Sequence, residues 1–115
     1  MNKICTSIEQ SKKLIALGID VNTADMYYDC NSYGIQGKPE VAVGTVWSKD
    51  IPAWSLAALL GVMKEPELIR NSEGKWLIRV WYYSYPYSKG CYDDPVDACV
   101  DMIEKLHYMN LMCCK

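Results

Sequence analysis

Phenylalanine is absent from this chain of 115 residues, and histidine occurs once, at His107. Apolar runs are short: the longest, around "WSLAALLGVM", falls well under the ~20 residues that a bilayer-spanning helix needs. The opening "MNKICTSIEQSKK" has neither an apolar stretch nor a small-residue cleavage site, so a secretory leader and a membrane are not expected and a cytoplasmic location is. Charge of one sign never accumulates. With a net charge of −2 and no basic stripe, the phosphate backbone of a nucleic acid finds little to hold it, which makes nucleic acid an unlikely partner.

Chemical motifs are equally sparse. There is no C-x-x-C pair and only one histidine, so the usual spacing signals of a zinc site are missing, and neither a metal nor another cofactor is expected. "YGIQGKPE" lacks the spacing and the following helix of a phosphate-binding loop, and no G-x-S-x-G elbow occurs. Six cysteines stand at Cys5, Cys30, Cys91, Cys99, Cys113 and Cys114. Half of the chain is hydrophobic, enough for a core without disulfides, and in a reducing cytosol these thiols act as small apolar side chains.

What the chain does have is nine tyrosines and four tryptophans, so every aromatic ring carries a polar group. Such rings suit places where one edge meets water or a partner. Length and composition fit a single domain over residues 1–115.

Local signals order that domain. In "TSIEQSKKLIALG" the Thr6–Glu9 spacing is that of a capping box, Ile8, Ile15 and Ile19 share a side, and Gly18 ends the helix. A short strand is expected at Met26–Cys30, and another in "VAVGTVW", where Gly44 marks a bulge. "IPAWSLAALLGVMKEP" is a second helix that starts in one of two ways. Either Pro52 lies in its first turn, or Ser55 caps it with Trp54 and Leu59 as a hydrophobic staple; Pro66 ends it.

"ELIRNSEGKWLIRVWYY" is a hairpin turning at Gly74. The last helix opens with Asp94 as cap, Pro95 at its first position and Asp97 in its first turn. Its apolar stripe holds Val96, Val100, Ile103 and His107, with Cys99 and Leu106 beside it, while Asp97, Asp101 and Glu104 face water. The sum is an α+β fold: three helices packed on a small, mainly antiparallel sheet containing a clear hairpin at about residues 67–83.

Three segments also resemble a known family: Thr23 to Met26 after the first helix, Pro52 to Leu56 entering the second, and Asp94 to Ala98 opening the last. They are similar to hallmarks of a family of small proteins of gut Bacteroidales, often found in prophage or mobile-element neighbourhoods. The resemblance implies a phage- or element-associated cytoplasmic protein and carries no assigned chemistry.

Candidate functional residues then follow from chemistry. If the strand from Trp76 runs on, Trp76, Ile78, Val80 and Tyr82 face the core. Leu77, Arg79, Trp81, Tyr83, Tyr85 and Tyr87 then form the opposite face. Large amphipathic rings beside an arginine are the side chains enriched at interfaces. The plainer account is a sheet roofed by rings whose hydroxyls meet water.

The expected function is a non-enzymatic interaction module, associating with itself or another protein through Arg79, Trp81, Tyr83, Tyr85 and Tyr87. A small enzyme or ligand-binding domain with a pocket near Cys99 and His107 is the alternative. Those two residues stand eight positions apart on one helix, ~12 Å of rise, too far for a hydrogen bond. A nucleic-acid-directed element protein is the third reading, resting on the family neighbourhood.

Overall fold

The computed structural model describes residues 3–28, 39–41, 50–82 and 85–109. Helix α1 spans Ile8–Ala16. It is followed by strands β1 (Met26–Tyr28), β2 (Pro39–Val41) and β3 (Ile51–Ala53), and by helix α2 (Leu56–Val62). Strands β4 (Pro66–Arg70), β5 (Trp76–Tyr82) and β6 (Tyr85–Tyr92) precede helix α3 (Pro95–Tyr108). The fold is α+β, as expected, but its strands form two antiparallel sheets, β2-β1-β3 and β4-β5-β6, rather than one. The expected bulge at Gly44 lies outside the described residues.

The capping box of α1 forms one residue later than its spacing suggests. Ser7, not Thr6, is the cap: its Oγ accepts the Gln10 amide at 3.1 Å, and the Gln10 side chain accepts the Ser7 amide at 2.9 Å. Thr6 is diverted by tertiary bonds. Fully buried, it donates its amide to the Trp54 carbonyl (2.9 Å), accepts the Trp54 amide on Oγ1 (3.1 Å) and pairs that oxygen with Ser11 Oγ (2.8 Å). Leu14 and Ser11 form the buried face of α1, and Ile15, on the side it shares with Ile8 and Ile19, is exposed. Gly18 at φ +90 closes the helix in a Schellman arrangement, with its own amide donating to Ile15 and that of Ile19 to Leu14.

Of the two starts weighed for α2, Ser55 is the cap, its Oγ accepting the Ala58 amide at 3.2 Å. Pro52 is a residue of β3, opposite Tyr27. It is tolerated there because β3 pairs only with β1 among the described residues, so the missing N–H opens no ladder. Trp54 and Leu59 are both fully buried in the main core, as a staple requires. The helix ends at Val62, four residues before Pro66, and Pro66 starts β4 instead.

The main core joins Leu14 of α1, Trp54, Leu59 of α2, Ile78 and Val80 of β5, and Val96, Cys99, Val100, Met102, Ile103 and Leu106 of α3. A smaller core under the first sheet holds Cys5, Met26, Tyr28, Ile51 and Ala53. At Asp94 the cap works in two directions: Oδ1 accepts the Val96 amide (2.8 Å) and Oδ2 the Lys3 amide (2.7 Å), which ties the entering chain to α3.

Two expectations for α3 are corrected. His107 lies at the same angle as Val96 and Val100, yet it is exposed. In the last turn only the Met102–Leu106 side of the helix remains covered, and the core has ended beneath His107. The acids expected in open water are partnered as well. Asp97 receives Lys3 Nζ and Gln10 Nε2, both at 2.7 Å, and Glu104 faces Lys13 Nζ at 3.5 Å. Half-exposed pairs of this kind contribute ~0.2–1 kcal/mol each. Their larger effect is to set α1 against α3.

Candidate interaction face

The hairpin β4–β5 forms because two runs of β-formers meet at "NSEG". Asn71 Oδ1 accepts the amides of Glu73 and Lys75 at 2.9 Å, and Gly74 takes φ +79, which leaves no room for strain-free replacement. This turn sets the register, and the register sorts the side chains. Pro66 pairs with Val80, Leu68 with Ile78 and Arg70 with Trp76 on the face that β5 turns toward α3. There the Arg70 guanidinium lies 5.6 Å from the Trp76 ring centre.

The outer face carries the alternate pairs, Glu67 opposite Arg79 and Ile69 opposite Leu77, with Trp81 one step beyond. Ile69, Leu77 and Trp81 are half-buried and belong to neither core. Polar contacts on this face converge on a single atom: Glu67 Oε1 accepts the Trp81 indole N–H at 2.8 Å and lies 3.5 Å from Arg79 Nη1. The Arg79 and Glu67 side chains remain 37% and 48% exposed.

Arg79 and Trp81 therefore stand where alternation put them. By register, Tyr85 and Tyr87 do not continue the row. Strand β5 stops at Tyr82 and the chain reverses, so Tyr85 pairs with Tyr82 and Tyr87 with Val80, while Pro86 and Ser88 stand opposite Trp81 and Arg79. Antiparallel pairing of β6 with β5 resets the alternation, which a straight count along the sequence cannot anticipate. Tyr83 lies outside the described residues. Glu67 and Ile69 were missed because a single-strand count ignores the neighbouring strand. Their signal was the β4 half of the hairpin, whose partners Gly74 determines.

Cys99 and His107 are not brought together. Cys99 is fully buried, and burial pushes its thiol up to about 12, whereas His107 faces solvent with its ring 6.0 Å from that of Tyr108. Cys5 is buried too, with its pKa raised by burial; Tyr28, beside it at 3.8 Å, is raised for the same first cause and donates its hydroxyl to the Thr6 carbonyl. Raised thiols stay protonated and are poor nucleophiles. An open hollow of about 430 Å³ lies against Ser7, Ile8, Glu9 and Tyr28, away from the expected pocket.

Among the described residues no group of three or more His, Cys, Asp or Glu is arranged to hold a metal ion, and no helix is long and apolar enough to cross a membrane. Comparison of the chain with protein-family models, with curated proteins and with solved structures finds no match to any of them.

Proposed function

We propose that this chain is a non-enzymatic interaction module that associates with itself through the outer face of the β4-β5-β6 sheet. The observation that carries the reading is the composition of that face. Apolar Ile69 and Leu77, an indole at Trp81 and an Arg79–Glu67 pair lie outside both cores and across from the helices. Tryptophan and arginine ringed by apolar groups are the side chains on which binding energy concentrates at interfaces.

Native mass spectrometry and sedimentation velocity on the purified chain test the reading. The wild-type protein should give a concentration-dependent oligomer, and Leu77→Ala/Trp81→Ala should give a folded monomer. An oligomer unchanged in the double variant would remove this face from the function.

A further inference from the structure

The outer face is self-complementary in a specific way, and we infer that it docks a second copy of itself about a two-fold axis running along the strands, midway between β4 and β5. The inference rests on the interaction-module reading and specifies the geometry of its contact. Glu67 and Arg79 are cross-strand partners at the same height, and so are Ile69 and Leu77. A two-fold axis along the strands exchanges left for right and keeps height unchanged. It lays β5 of one copy over β4 of the other. Arg79 then lies over Glu67 of the other copy and Leu77 over its Ile69, each contact occurring twice. An axis perpendicular to the strands within the interface would preserve left and right and reverse height, so that at the level of this pair it would lay Arg79 over Arg79 and Glu67 over Glu67.

The intrachain pair leaves the charges available for this exchange. Arg79 Nη1 stands 3.5 Å from Glu67 Oε1, longer than the ~2.8 Å of a closed charge-assisted hydrogen bond. Its geometry therefore commits Arg79 weakly. The indole of Trp81 holds the same Oε1 at 2.8 Å and keeps the carboxylate on this face. Opposite Arg79 and Trp81 on β6 come Ser88 and Pro86, and opposite Leu77 comes Gly90.

Area sets the strength. With the axis midway between β4 and β5 only these two strands overlap, and at ~4.8 Å apart over about 17 Å of paired length they give a footprint on the order of 160 Å². That is well below the ~800 Å² per partner of a stable complex, so the dimer is a weak, reversible one.

Charge exchange provides the test, in sedimentation equilibrium across a wide concentration series, with circular dichroism confirming that each variant is folded. Glu67→Arg gives a face with two arginines, and Arg79→Glu a face with two glutamates. Either variant alone should dimerise about tenfold more weakly, or worse, than the wild type. An equimolar mixture of the two should form a heterodimer at wild-type concentrations, because each arginine then meets a glutamate. The Glu67→Arg/Arg79→Glu double variant should recover the homodimer.

A wild-type chain that stays monomeric throughout would overturn both the two-fold contact and the self-association reading. A wild-type dimer unaffected by the single variants would overturn this contact alone, leaving self-association through another surface. Single variants that weaken the dimer without recovery in the mixture would also refute the exchange of partners.

Discussion

Replacing Thr6 by valine should destabilise this protein more than replacing it by serine, although valine keeps the side-chain volume. Thr6 is fully buried, and its Oγ1 accepts the amide of the equally buried Trp54 at 3.1 Å while pairing with Ser11 Oγ at 2.8 Å. Valine leaves both of those groups without their partner. A buried amide so orphaned costs about 1–3 kcal/mol, and the Ser11 hydroxyl adds on the order of 1 kcal/mol, so the expected loss is about 3 kcal/mol. Serine retains the oxygen and removes one methyl group, a loss of about 1 kcal/mol.

At roughly 4 °C per kcal/mol for a chain of this length, the two variants should melt about 12 °C and 4 °C below the wild type. Urea denaturation measures the free energies directly. Adding Ser11→Ala to the valine variant should cost less than adding it to the wild type, because the serine has already lost its partner there. A valine variant at least as stable as the serine variant would refute the assignment of Thr6 as the joint between α1 and the β3–α2 connection.

Two further outcomes follow from burial and backbone geometry. Burial raises the Cys99 thiol to about 12, so the unfolded chain loses this proton near pH 9 while the folded chain keeps it. The folded state then binds more protons than the unfolded one, and stability falls as pH climbs from about 9 toward 12, approaching ~1.4 kcal/mol per pH unit for this group. Urea denaturation between pH 8 and 10.5 should show the decline, with a shallower slope in Cys99→Ala; identical slopes would contradict the burial. The second outcome is a pair of opposite signs. Gly61 lies inside α2 with nothing near its absent Cβ, so Gly61→Ala should stabilise by about 0.5–1 kcal/mol. Gly18 is equally uncrowded but holds φ +90, so Gly18→Ala should destabilise by about 1 kcal/mol in the same denaturation assay.

The class of fold, the three helices, the hairpin and the Asp94–Pro95 start of α3 were legible in the residues, because each rests on contacts within a few positions. A capping carboxylate, a proline at the first helical position and a glycine at positive φ act locally. What tertiary structure decided was where those local options went when a distant group competed. Thr6 and Ser7 are both acceptable caps, and the choice fell to Ser7 because Trp54, forty-eight positions away, claims the Thr6 hydroxyl. His107 sits on the apolar angle of its helix, but the extent of the core beneath it is set by other elements, so it is exposed.

The candidate face divides along the same line. Alternation along one strand was enough to put Arg79 and Trp81 together, since side chains alternate whatever lies next to them. Glu67 joined them only through the hairpin register, and Tyr85 and Tyr87 left the row only because the chain reverses after Tyr82. A linear sequence carries the period of each strand by itself, whereas the pairing between strands depends on turns and long-range packing that exist only once the chain has folded.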